Sequence, residues 1–391
     1  SYGLLACRKL IMKVIQVIAG LDQKSGGPSY VLPRLCEALG SSGIENELHT
    51  LLPLPNKKST NYHMIGHPKI EIFRSLNVSP ALRSSLLKSA NHCNLIHNHG
   101  LWLMPNFYAA EASRKNGCPL VISTHGTLAD WALKRSRVKK RIISYIGQNN
   151  ILHSASCFHA TSISEYQDIR RYGIKAPVAI IPIGVDLPTR IAREQDTQQG
   201  LKRLLYLGRM HPVKGLDNLL KAWKGVKNSN LDWQLVLCGP DENGYKKHLE
   251  KVSNELGLER IEFRSAVYGE GKNRLLSSSD ILVLPSYSEN FSLVIAEALI
   301  HGVPVITTKG VPWGGIEQYR CGWWIDVGEI ALEECLREAL LSNETDLHEM
   351  GTNGMNWVKK EFSWNTISAM MHETYTWLLG GGQSPSWVYT H

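Results

Sequence analysis

The sequence predicts an α/β protein of two doubly wound, Rossmann-like domains with a cleft between them, and three observations carry this expectation. Short, nearly continuous apolar runs alternate with helical segments, the pattern of parallel strands buried on both faces. The alternation stops once, at a polar stretch without periodicity over residues 189–200, and then begins again. At 391 residues the chain is long enough for two domains of ordinary size.

The elements follow in order. Residues 14–19 read as the first strand, Gly26-Gly27-Pro28-Ser29 as a turn, and residues 29–39 as a helix with Pro33 near its start. Residues 94–97, 119–123, 157–160 and 178–182 read as further buried strands, which close a first domain over 12–188. Met12 looks like a natural start, with residues 1–11 as an upstream extension. In the second domain, 200–363, strands are expected at 203–207, 233–237, 261–264, 281–284 and 303–306, with a helix at 215–223. Residues 364–380 read as a final helix. Ligands of such sheets bind beyond the carboxyl ends of the strands, and the motifs below fall at those ends.

Composition narrows the function. Residues 1–185 hold 22 basic and 9 acidic residues, a net +13, whereas the remainder holds 21 and 26, a net −5. An N-terminal half that faces anions is implied. Its densest basic stretch runs through Lys134, Arg135, Arg137, Lys139, Lys140 and Arg141. That stretch lacks the interleaved aromatics of a single-strand platform, so an anionic membrane surface or a pyrophosphate-linked acceptor is expected rather than nucleic acid. No apolar run reaches the length of a membrane span, and no secretory signal is read. The eight cysteines form no Cys-x-x-Cys pair, so neither a zinc nor a redox motif is indicated, and a reducing cytoplasm is the expected location.

The most informative segment is Glu289-Asn290-Phe291-Ser292-Leu293-Val294-Ile295-Ala296-Glu297, which reads as a loop turning into a helix between two strands. The amides of a helix N-terminus, near Asn290, Phe291, Ser292 and Leu293, bind phosphate. Carboxylates beside an anion would repel it unless they hold something else, and hydroxyls are the obvious candidates. A phosphorylated sugar fits both demands. Upstream, Gly208-Arg209 and Lys214-Gly215 follow a strand and precede a helix. An Arg fork with a Lys point charge suits a diphosphate. Gly26 and Gly27 would let backbone approach a ligand, but they do not form the Gly-x-Gly-x-x-Gly fingerprint, which argues against a nicotinamide enzyme. Cys238-Gly239-Pro240 and Ala266-Val267-Tyr268 end strands read as adjacent, where a nucleotide base would lie. Histidine is dense around His97-Asn98-His99-Gly100-Leu101-Trp102 and Ser123-Thr124-His125-Gly126. A metal is one explanation, but no His-Glu-x-x-His occurs, and His97 and His99 are expected on opposite faces of a continuing strand.

Over nearly all of residues 12–380 these segments resemble retaining GT-B glycosyltransferases of family four, with its Glu-x7-Glu motif. The resemblance implies that Glu289 holds the donor sugar, Glu297 the ribose, Arg209 and Lys214 the diphosphate, and Gly26-Gly27 the donor phosphate from the first domain. It assigns His125 to the donor sugar and the His99–Trp102 segment to the acceptor side, and Val267, at its strand end, is expected to border the donor base. Glu165 matches a common family position, expected to support the cleft wall. Ser265 and Ser292 stand where the family often has glycine. The last helix is expected to cross back to the first domain. The resemblance further implies a UDP- or GDP-sugar donor, a sugar or lipid-linked acceptor, retention by front-face attack, no metal or other cofactor, and a role in bacterial surface polysaccharide or glycolipid assembly at the inner face of the membrane. The alternative is a sugar-nucleotide epimerase or another GT-B enzyme such as a phosphorylase.

Overall fold

The computed structural model describes residues 11–21, 27–55, 59–134, 143, 147–188, 200–226 and 232–390. The chain divides into two units, Ser1–Gly184 with Trp364–His391, and Val185–Ser363. Gly26, the linker and the basic residues Arg135, Lys139 and Lys140 lie outside the described residues. Lys134 closes a short helix, Asp130–Lys134.

The strands are β1 Lys13–Ile18, β2 Glu45–Leu51, β3 His63–His67, β4 Leu95–His99, β5 Leu120–Ser123, β6 Cys157–Ala160, β7 Val178–Ile180, β8 Lys202–Leu207, β9 Trp233–Cys238, β10 Ile261–Arg264, β11 Ile281–Leu284, β12 Val305–Thr308, β13 Gly322–Ile325 and β14 Val388–Tyr389. In the first unit the sheet order is β14-β7-β6-β5-β4-β1-β2-β3, and only β14 pairs antiparallel. In the second it is β10-β9-β8-β11-β12-β13, all parallel. Each sheet reverses its strand order between two central neighbours, β1 and β4 in the first and β8 and β11 in the second. The crevice at such a switch point is where doubly wound sheets bind ligands.

Every strand read from the sequence is present, with shifts of a few residues. Strands β2, β3, β13 and the two-residue β14 were not anticipated. β2 carries Glu45, Asn46, Glu47 and His49, and the half-buried β13 contains two tryptophans, so neither shows a clean apolar run. β4 continues two residues past the expected end, because His97, Asn98 and His99 are buried despite their polarity. The helix Trp364–Gly380 belongs to the first unit, where Ser368 Oγ meets Ser42 Oγ at 3.3 Å and Tyr375 reaches the sheet. Among the described residues no helix is long and apolar enough to cross a membrane.

Candidate active site

In the second unit the loops after β8 and β11 lie side by side at the switch point. Tyr287 N–H donates to the Val213 carbonyl at 2.8 Å and ties them together. Gly215 makes this approach possible: its φ is +67°, and a Cβ there would stand 2.1 Å from the Pro285 carbonyl oxygen. Any side chain would force the loops apart. Within the first loop the His211 imidazole accepts from Val213 N–H at 3.1 Å and shapes the turn Pro212–Lys214. Lys214 is thereby brought into an ion pair with the Glu289 carboxylate, whose side chain is 14% exposed. Ser286 Oγ donates to the same carboxylate oxygen at 2.9 Å, and Glu289 N–H donates to the Gly310 carbonyl at 3.0 Å. Glu289 is therefore fixed at backbone and side chain. Lys214 and Glu289, expected to hold the diphosphate and the sugar separately, are in direct contact. Arg209 is engaged elsewhere, with the Glu242 carboxylate at 2.5 Å, and its side chain is 59% exposed.

Beyond Glu289, Ser292 caps the helix Leu293–Ile300 at φ +70°, ψ 85°. This left-handed backbone explains why glycine suits the position, since a side chain there costs on the order of 1–2 kcal/mol. Phe291 lies in the donor segment, but its side chain is buried, packing on Trp313 and Phe362 with ring centroids 5.2 and 6.0 Å away. Trp313 Nε1–H donates to the Phe291 carbonyl and fixes the loop from below. Any ligand contact from Phe291 is thus left to its backbone. Glu297 pairs with Lys272 Nζ at 2.5 Å, on the helix Gly269–Ser277 that follows half-buried Val267. Neither Trp313 nor Lys272 was anticipated. The Val-Pro-Trp-Gly-Gly run just past β12 was a legible signal for the first. Lys272 sits within a helix without a motif.

In the first unit Gly27 opens the helix Gly27–Ser41. The histidines form one network. His97 and His99 share a face of β4, contrary to expectation, because side chains two positions apart on a strand point the same way. Their rings stack at 4.2 Å, and His99 stacks on His125 at 5.3 Å. Burial pushes His97 and His99 well below the usual imidazole value, reinforced by the neighbouring histidines. Burial takes His125 down to about 4, against an upward pull from Glu165. Among the described residues no group of three or more His, Cys, Asp or Glu is arranged to hold a metal ion. His99 and Trp102 are only 3% and 7% exposed, and His99 lines a small cavity together with His125, His159 and Leu32 of the helix Gly27–Ser41.

His125 itself has φ +50° and is held there by Glu165. The Glu165 carboxylate, 1% exposed, accepts from Thr124 Oγ1–H at 2.6 Å, Gly126 N–H at 2.7 Å, Thr161 N–H at 2.7 Å and Thr161 Oγ1–H at 2.8 Å. Burial alone would raise its pKa, but these bonds and the nearby His125 outweigh it and hold it below the usual value. Its role is to fix the strand-end loops on either side of His125. Replacing Glu165 by Gln turns an N–H₂ towards one backbone N–H donor, that of Gly126 or of Thr161, according to which oxygen is replaced. The expected loss is about 2–3 kcal/mol of unfolding free energy, read from urea titration at pH 7. A loss under about 0.5 kcal/mol would show that the carboxylate is not needed there.

With this geometry in view, the comparisons with known proteins place the chain. The family model for glycosyl transferases group 1 matches residues 189–357, and that for glycosyltransferase family 4 matches 25–188. The chain belongs to this family of GT-B glycosyltransferases. It is 30% identical over 254 residues to a D-inositol 3-phosphate glycosyltransferase of Salinispora tropica, a match covering 58% of this chain and 52% of the relative, or about half its length. It is 27% identical to D-inositol 3-phosphate glycosyltransferase 2 of Catenulispora acidiphila, with 90% of each chain covered. The fold matches the crystal structure of Anabaena Alr3699/HepE in complex with UDP and glucose with a TM-score of 0.70, at 19% identity, covering 93% of this chain and 99% of the other.

Proposed function

We propose that the protein transfers a hexosyl-type sugar from a nucleotide-sugar donor to an acceptor hydroxyl, with retention of configuration and without a metal. The observation that carries this reading is the Lys214–Glu289 pair at the β8/β11 switch point, beside the start of the helix Leu293–Ile300. A cation, a carboxylate and the amides of a helix N-terminus in one crevice suit a phosphate joined to a polyhydroxyl group. Breaking the sugar–phosphate bond builds negative charge on the leaving diphosphate and positive charge at the anomeric carbon. Lys214 and the amides oppose the first, and Glu289 opposes the second. Arg209 joins the diphosphate by exchanging Glu242 for phosphate. Glu297 takes the ribose hydroxyls, and Val267 borders the base. The fold neighbour's complex with UDP and glucose favours a UDP-sugar over a GDP-sugar. Two relatives named for inositol 3-phosphate make a phosphorylated polyol one acceptor to try, beside sugar and lipid-linked acceptors of surface polysaccharide or glycolipid assembly.

A thermal-shift panel of UDP-, GDP- and ADP-sugars tests the donor. A ligand at 100 times its Kd stabilises the folded state by about 2.7 kcal/mol. One UDP-sugar is expected to raise Tm clearly, and Lys214→Ala to abolish most of the shift. A panel without any shift, followed by no transfer to any acceptor, would overturn the reading.

A further inference from the structure

We propose that Tyr375, through Gln16 and His99, is a positioning residue that locks His125 into one tautomer, with its proton on Nε2 and a lone pair on Nδ1. The inference rests on the reading of His125 as a contact to the donor sugar.

The registers β1–β4, β4–β5 and β5–β6 pair Gln16 with His97, His99 with Ser123, and Ser123 with His159, which sets a polar row on one face of the sheet. A carbonyl oxygen ends the row and sets its direction. The Ile181 oxygen can only accept, so His159 Nε2, 2.8 Å away, carries the proton. The neutral His159 ring then has a lone pair on Nδ1, which accepts from Ser123 Oγ–H at 2.7 Å. That hydroxyl has one proton, now used, so His97 Nε2–H donates to Ser123 Oγ at 2.7 Å. His97 Nδ1 accepts from Tyr375 O–H at 2.6 Å. The phenol oxygen in turn accepts from Gln16 Nε2–H at 3.3 Å, which turns the amide oxygen towards His99. His99 Nε2–H donates to Gln16 Oε1 at 2.8 Å, and His99 Nδ1 accepts from His125 Nε2–H at 3.1 Å.

Each link leaves no choice for the next. A second proton on His97, His99 or His159 would set a donor against a donor, and their burial keeps them neutral. Tyr375 is fully buried on the helix Trp364–Gly380 and is the only link in the row outside the sheet strands and their ends. Without its hydroxyl, His97 keeps its proton on Nε2, as Ser123 requires, but the Gln16 amide loses the acceptor that orients it and can turn over. His99 and His125 then reverse. The consequence for the ligand is specific: a lone pair on Nδ1 accepts from a sugar hydroxyl and repels a carboxylate, so a neutral sugar suits it and a uronate does not.

The test uses the full chain labelled with ¹⁵N-histidine, with His125 assigned by comparison with His125→Asn. The parent protein is expected to show a pyrrole-type Nε2 and a pyridine-type Nδ1 on His125. In Tyr375→Phe both signals are expected to move to intermediate values, with kcat/KM for the donor about tenfold lower and the acceptor KM unchanged. A proton on Nδ1 in the parent, or an unchanged tautomer in a folded Tyr375→Phe, would overturn the proposal. The parent spectrum decides even if the variant fails to fold. If His125→Asn binds donor as well as the parent does, the reading of His125 as a sugar contact fails while the tautomer assignment stands.

Discussion

Glu289→Gln is expected to lower kcat about 1,000-fold, roughly 4 kcal/mol of transition-state stabilisation, with the protein still folded. The backbone of Glu289 stays bonded to Gly310, and the side-chain oxygen still accepts from Ser286, so the shape of the loop survives. What disappears is the charge that pairs with Lys214. In the proposed mechanism that carboxylate opposes the positive charge growing at the anomeric carbon, a site where preorganised charge acts most strongly. The freed Lys214 is then a cation without its partner beside the diphosphate. Donor affinity is expected to hold or to tighten while turnover collapses. Steady-state and single-turnover kinetics separate the two. If kcat falls less than tenfold, Glu289 is a structural partner of Lys214, and the catalytic role belongs elsewhere.

The fold was legible because parallel strands buried on both faces are largely apolar, and most strands of each sheet announce themselves that way. The strands that escaped are polar, tryptophan-rich or too short to show a pattern, like β2 with its Glu47–His49 pair, β13 and the two-residue β14. In the second unit the site was legible as residue types. Glycine where backbone meets backbone, and charge at a strand end, are local demands that the sequence states directly. Partnership was not legible. Nothing in the order of residues says that Lys214 meets Glu289 while Arg209 meets Glu242, or that Lys272 comes to Glu297 from another helix. In the first unit the histidines were visible, but His97 and His99, two positions apart on β4, share a face rather than alternating. Their common face, and Tyr375 more than 270 residues away in sequence, emerge only once the sheet register is known.

That buried polar row, together with His49 on β2, which bonds Glu47 and His67 apart from it, makes the protein acid-sensitive, and the sign follows from where the protons bind. His125 and His49 are both held at about 4 by burial, against the upward pull of Glu165 on the first and Glu47 on the second. An unfolded histidine takes its proton near 6.5. Below that pH the unfolded chain binds protons that the fold refuses. Stability is therefore complete above about 6.5 and is lost as pH falls towards 4. Between pH 7 and 5 these two residues alone are expected to remove about 4 kcal/mol, each contributing about 2. His97, His99 and His159, also lowered by burial, add in the same direction. Against a total of roughly 5–15 kcal/mol for a typical domain, this is a large share. Glu165 belongs to a different window. Its depressed pKa gives stability that persists above the ordinary carboxylate range and is lost only as pH falls through the lower folded value. Two separate acid losses should therefore appear in urea titrations followed by circular dichroism, the histidine loss between 6.5 and 4 and the carboxylate loss below it. In His125→Asn the fall between pH 7 and 5 is expected to shrink by about 2 kcal/mol, since one proton-refusing group is gone. A parent protein equally stable at pH 7 and 5 would mean that these imidazoles take up protons within the fold, and the directed hydrogen-bond row would then be untenable.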